Sequence, residues 1–237
     1  MRSRYRKTFA GLLWVVLNPV ILYSVQSLVF QNILKIDISD YPLFLLTGLL
    51  PWTFFTQSLE MGIPVIDSSR ELLKGIKTSP FNLVMAQVTD NIFNFLLVFI
   101  ILLIPYVIIW GSFDLKMLLA PVTLVPLIVS VSALVALLSM LNIFYRDIKY
   151  IAAFVVNVMF FLTPIFYPRS FVPESFRLIV DLNPIYIAIA PFRSCFLPYS
   201  DGPLWLEVFK SYVLAIVLVW LTIYIWKKNR NEFNMRL

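Results

Sequence analysis

Long apolar runs separated by short polar stops set the plan of this chain. They lie at approximately 12–31, 42–65, 84–110, 117–144, 150–168 and 204–226, and each approaches the roughly 20 residues a helix needs to cross the hydrocarbon of a bilayer. Backbone polar groups in lipid must be satisfied within the segment, so the pattern predicts six spanning α-helices. Between the fifth and sixth runs, Arg169 to Pro203 is apolar but punctuated by Pro173, Pro184, Pro191, Pro198 and Pro203. Its two helical patterns, near 174–182 and 185–196, are too short to span, and predict a re-entrant or interfacial helical hairpin. Between the fourth and fifth runs the interruption is only Tyr145-Arg146-Asp147-Ile148-Lys149. That island has no Gly or Pro, and predicts a helix of one or two turns on the membrane surface with Tyr145 and Ile148 on one face.

Composition turns this pattern into a class. Of the 237 residues, 60% are hydrophobic and 14% charged, against about 45–50% and about 25% in globular domains. The chain reads as one integral membrane domain, 1–237, all-α. Histidine is absent and Cys195 is the sole cysteine, which excludes a His/Cys metal cluster, a Cys–His nucleophile pair and a disulfide within the chain. Asp-x-Asp pairs and clustered carboxylates are also missing, which argues against a membrane glycosyl- or acyltransferase. A Gly-rich re-entrant filter, the mark of an ion channel, is not present. Cys195 itself reads as a small apolar filler.

Charge gives orientation. The net charge of +6 is carried in clusters beside apolar runs, not along one soluble face, so nucleic acid is not the implied partner. Arg2, Arg4, Arg6 and Lys7, then Arg70, Lys74 and Lys77, then Arg146 and Lys149, and finally Lys227, Lys228, Arg230 and Arg236 fall on one side of a six-span arrangement. That side is the cytoplasm, with both termini on it. The run from Leu12 to Phe30 exceeds the roughly 7–15 residues of a signal-peptide core, and no A-x-A site follows, so it reads as a retained first span. Glu60 and Asp90 fall near the cytoplasmic ends of the second and third spans.

Candidate chemistry is sparse. The stretch "KGIKTSP" has Gly75 and Lys77 but not the paired glycines and adjacent Gly-Lys of a phosphate cradle, so this chain does not bind ATP in the usual manner. Aromatic residues are many, 21 Phe, 11 Tyr and 6 Trp, enough for interfacial belts and for a lined conduit. Tyr23, Gln26, Ser27 and Phe30 share one face of the first span at helical spacing; Phe154, Asn157, Phe161, Pro164 and Pro168 do so on the fifth. Helix–helix packing and a polar conduit both account for these faces.

Four blocks carry a family resemblance. "RYRKTFAGLLWVVLNP" (4–19), "KTSPFNLVMA" (77–86), "LNIFYRDIKYI" (141–151) and "LTPIFYP" with "LNPIYIAIAPFR" (162–168, 182–193) resemble, in this order, segments of the permease subunits of ABC-2 type exporters, specifically those that export O-antigen, capsule or teichoic acid polymers. The resemblance implies an amphipathic cytoplasmic N-terminal segment; such proteins commonly carry some twenty residues more before the Arg-Tyr-Arg motif, and here Met1 nearly abuts it. It implies that Tyr145, Arg146, Asp147, Ile148 and Lys149 form a coupling helix moved by a separate ATP-hydrolysing subunit. It also implies that Tyr23, Gln26, Ser27, Phe30, Phe154, Asn157 and Phe161 border the translocation path, and that Arg4, Arg6 and Lys7 meet the pyrophosphate of a lipid-linked glycan. The implied assembly is two permeases with two ATPase subunits in the bacterial cytoplasmic membrane. ATP and Mg would sit on the partner, with no cofactor in this chain. An ABC-2 permease for drugs or lipids is the neighbouring reading; the N-terminal and Tyr-Arg-Asp blocks argue against it.

Overall fold

The computed structural model describes residues 11–30, 38, 40–75, 79–110, 114–197 and 202–236. Every regular element among them is helical: α1 (Gly11–Leu28), α2 (Tyr41–Gly62), two short helices α3 (Val65–Ser68) and α4 (Arg70–Gly75), α5 (Pro80–Trp110), α6 (Ala120–Phe144) entered through a 3-10 turn at Leu115–Leu119, α7 (Ile148–Leu162), α8 (Glu174–Asp181), α9 (Pro184–Ser194) and α10 (Leu204–Arg236). By length and composition the segments 80–104, 115–144 and 204–229 are able to cross a membrane. The pair α8 and α9, bent by 91°, makes a fourth if taken as one broken span.

The other expected spans differ for physical reasons. α7 has only 15 residues, about 22 Å at 1.5 Å per residue, which is short of a hydrocarbon core of about 30 Å. The expected end at 168 is replaced by a stop at Leu162, because Thr163 precedes Pro164 and is held extended at ψ 126°. α2 is long enough but carries Thr47, Thr53, Thr56, Gln57, Ser58 and Glu60, of which Thr47 and Ser58 are buried and Glu60 is exposed. Nearly all of its first half, Tyr41 to Trp52, is buried. α10 runs beyond the expected 226 to Arg236, 33 residues in all, so the basic tail continues the helix.

α2, α5, α6 and α9 build one core, onto which α1, α7 and α10 pack from outside. α2 approaches α6 closely at Gly62, where a Cβ would lie 2.3 Å from Val135 Cγ1; small residues permit such approach between membrane helices. The most extensive packing joins α6 to α10. There Pro126, inside α6, has no N–H to give to the carbonyl of Val122. The Tyr212 hydroxyl of α10 donates to that carbonyl instead, at 3.1 Å, and Thr222 donates to the Ala133 carbonyl at 2.9 Å.

The hairpin is tied internally. Asn183 caps α9 by accepting from the Ile185 N–H at 2.9 Å, while its amide donates to Thr163 Oγ1 at 2.9 Å. Arg169 forks onto Asp181 with two contacts of 2.5 Å. That fork holds the Asp181 carboxyl below the usual carboxylate range, hydrogen bonding outweighing the effect of burial.

Candidate functional site

The polar island between α6 and α7 is a tight turn; the expected surface helix is not formed. Tyr145 is extended at φ −132°, ψ 100° and ends α6, Arg146 and Asp147 make the turn, and α7 begins at Ile148. Nothing in the local sequence forces this break. The reversal lets Ile143 and Ile148 reach the same core from consecutive helices. Tyr145 and Ile148 therefore do not share a face: Tyr145 is 68% exposed, whereas Ile148 packs inward. Arg146 and Asp147 project outward. The turn is welded to α7 by bonds from Ile148 N–H to the Tyr145 carbonyl, 3.1 Å, and from Ile151 N–H to the Asp147 carbonyl, 3.0 Å.

Lys149 leads from the turn into a groove of about 590 Å3 between α2 and α7. On α2 its wall follows one helical face through Trp52, Thr56, Leu59 and Glu60 to the capping residue Ile63; on α7 it follows Lys149, Ala152, Ala153, Val156, Asn157 and Phe160. The two alanines leave the space. Trp52 and Phe160 close the deep end with ring centroids 5.5 Å apart, and the Lys149 ammonium stands 5.0 Å from the Tyr150 ring centroid at the turn end. Aromatic faces interleaved with an amide, a hydroxyl, a carboxylate and an ammonium make a surface able to stack on and hydrogen-bond to a polar ligand.

The two predicted path faces are not brought together in this chain. On α1, Tyr23, Gln26, Ser27 and Phe30 are all half-buried and turn toward the molecule; Tyr23 lines a small crevice with Leu46, Leu49, Leu50 and Thr53 of α2. Gln26 Oε1 is buried with no hydrogen-bond partner among the described residues. The outward side of α1 is apolar, with Ile21, Leu22, Val25 and Leu28 exposed. On α7, Phe154 and Phe161 project outward, the latter 74% exposed, and Asn157 reaches the groove. Pro164 and Pro168 lie past the helix end and do not extend that face. Arg4, Arg6 and Lys7 fall outside the described residues.

Sequence reading missed Trp52, Thr56, Tyr150 and Phe160 as groove residues, since only the packing of α7 against α2 selects them from the other aromatic and hydroxyl residues. It also passed over Arg193, whose signal was legible: an arginine inside the apolar stretch "IYIAIAPFRSCF" is costly at membrane depth and marks a role.

Three helices long and apolar enough to cross a bilayer, packed with others around a buried helical core, mark an integral membrane protein. The chain belongs to the ABC-2 type transporter family, which matches residues 1–197. Over 98% of its length it is 30% identical to the O-antigen export system permease protein RfbA of Myxococcus xanthus, covering 90% of that protein. A Klebsiella pneumoniae protein of the same name is 25% identical over 98% of the chain and 90% of its own length. The polysialic acid transport protein KpsM of Escherichia coli is 23% identical over 94% of the chain and 88% of its own length.

Proposed function

We propose that this chain is the permease subunit of an exporter that moves a lipid-linked polysaccharide across the bacterial cytoplasmic membrane, driven by a separate ATP-hydrolysing subunit. The observation that carries this reading is similarity along nearly the whole chain to permeases named for O-antigen export. In this reading α1, α2, α5, α6 and α10 are spans, α7 continued by the non-helical link that follows it makes the sixth crossing, both termini face the cytoplasm, and α8 with α9 is a re-entrant hairpin on the outer side. Two permeases pair with two ATPase subunits, each of which binds ATP and Mg.

The turn and the groove then have complementary parts. Arg146 and Asp147 are exposed for polar contacts with the ATPase subunit, and the weld between turn and α7 passes a push directly into that helix. α7 has no buried residue along its length, so little packing resists its movement. The groove stacks and hydrogen-bonds the glycan through Tyr150, Thr56, Glu60 and Asn157. Arg4, Arg6 and Lys7 supply the cations for the pyrophosphate of the lipid carrier, where charge-assisted bonds to phosphate are strong.

The test is reconstitution. The permease is purified with its ATPase subunit, placed in liposomes loaded with lipid-linked glycan, and followed for ATP-dependent translocation of the sugar. Translocation that requires both subunits is expected. ATP-dependent movement of drugs or lipids but not of glycan overturns the polysaccharide assignment, and turnover of a sugar substrate by the permease alone overturns the transporter reading.

A further inference from the structure

The non-helical link between α7 and the hairpin, residues 163–168, includes the carbonyls of Pro164, Ile165 and Phe166, all in buried residues. Non-helical backbone at that depth needs donors from elsewhere in the protein. Two come from one side chain: Arg193, in the last turn of α9, donates through Nη1 to the Pro164 carbonyl at 2.5 Å and through Nη2 to the Ile165 carbonyl at 3.1 Å. The third comes from Tyr41 at the start of α2, whose hydroxyl donates to the Phe166 carbonyl at 3.3 Å.

α2 also makes the room. The guanidinium carbon lies 4.1 Å from the centroid of the Phe44 ring, and a Cβ on Gly48 would stand 1.9 Å from Nη2. The side chain missing at Gly48 is thus what admits the arginine, which is only 8% exposed. At the other end of α9, Asn183 holds Thr163. The link at the hairpin end of α7 is gripped by α9 and α2 together, whereas the helix itself borders the open groove from Lys149 to Phe160.

We propose that Arg193 is a positioning residue that makes the Pro164–Ile165 link a fixed pivot for α7, so that a push at the Tyr145–Lys149 turn swings the turn end of the helix instead of sliding the whole helix past α2. The coupling consequence rests on the transport reading given above; the clamp itself does not. Lysine at this position offers one amine in place of a two-armed fork and bridges the two carbonyls poorly.

Cys195, the only cysteine of the chain, reports on the clamp. It lies two residues past Arg193 and is 1% exposed. The experiment uses the permease–ATPase complex in nanodiscs and measures the maleimide labelling rate of the permease, ATP hydrolysis and glycan export for wild type, Arg193→Met, Arg193→Lys, Gly48→Ala and the double variant Gly48→Ala/Arg193→Met. Arg193→Met and Gly48→Ala are expected to raise Cys195 labelling about tenfold, the factor for loss of one charge-assisted hydrogen bond, and to lower export per ATP hydrolysed while hydrolysis continues. Gly48→Ala added to Arg193→Met is expected to change little, because no guanidinium remains to be displaced. If Arg193→Met does not assemble, Arg193→Lys carries the same readouts.

Unchanged labelling and unchanged export in Gly48→Ala and Arg193→Met overturn the proposal, as does a parallel fall of hydrolysis and export with Cys195 still protected. Faster labelling in variants of a complex whose wild type exports no glycan supports the clamp and counts instead against the polysaccharide assignment.

Discussion

Removing one hydroxyl tests the frame against which α7 is proposed to move. Pro126 leaves the Val122 carbonyl without its intrahelical donor, and Tyr212 replaces that donor at 3.1 Å from a helix that runs parallel to α6. Tyr212→Phe is therefore expected to cost about 0.6–2 kcal/mol, the range for an interhelical hydrogen bond within a bilayer. The cost has a specific origin, a carbonyl with nothing left to accept from, so it should depend on residue 126. In a Pro126→Ala background the alanine N–H reaches Val122 within the helix, and Tyr212→Phe should become neutral to within about 0.3–0.5 kcal/mol, the usual additivity error. Reversible unfolding in mixed micelles, followed by tryptophan fluorescence, gives the four stabilities of this double-mutant cycle. Equal costs of Tyr212→Phe in the two backgrounds would refute the carbonyl argument, whatever the size of the cost.

Reversing both charges of the turn, Arg146→Glu with Asp147→Arg, is expected to lower transport-coupled ATP hydrolysis of the assembled complex by roughly tenfold or more, at about 1.5–3 kcal/mol for a lost charged contact; unaltered transport removes the turn from the coupling route. Asn157→Trp, which fills the groove, should block export with assembly intact, and unimpaired export excludes the groove from the path. Gln26→Trp should instead show up as overpacking between α1 and the core, about 1–3 kcal/mol of lost stability, read as a lower melting temperature of the purified permease. Asp181→Asn removes the fork with Arg169. Because this carboxyl titrates lower in the folded protein than in the unfolded chain, its contribution is present above about pH 4 and lost as the pH falls below it. The melting temperatures of variant and wild type should therefore differ at neutral pH and draw together as the pH falls through the acid range, and a gap that stays constant throughout that range refutes the assignment.

Legibility followed the size of the signal. The segments 115–144 and 204–229 are apolar for long enough that hydropathy alone located them, and the prolines around 173 and 184 marked the two hairpin helices to within a residue or two. The turn at Tyr145–Asp147 escaped because its cause is not local: no Gly or Pro stands there, and the reversal is set by where Ile143 and Ile148 find a core. For the same reason helical spacing correctly grouped Tyr23, Gln26, Ser27 and Phe30 on one side of α1, yet did not say whether that side faced a conduit or α2. Periodicity fixes which residues share a face; only the neighbours decide what the face meets.

The breaks in these helices obey one accounting rule that hydropathy cannot see. A carbonyl released by proline or by the end of a helix at membrane depth must find a donor elsewhere in the protein. The Val122 carbonyl finds one 90 residues away on α10, the Phe166 carbonyl finds one 125 residues away on α2, and the Pro164 and Ile165 carbonyls find theirs 29 and 28 residues away on α9. Each donor is a single Tyr or Arg that in the sequence is one polar residue among many apolar ones. Their chemistry also sorts them by consequence. A tyrosine hydroxyl serves one carbonyl and is replaceable if the helix regains its own N–H, as at Pro126. The guanidinium serves two adjacent carbonyls of a link that has no helix to fall back on, so residue 193 has no equivalent rescue.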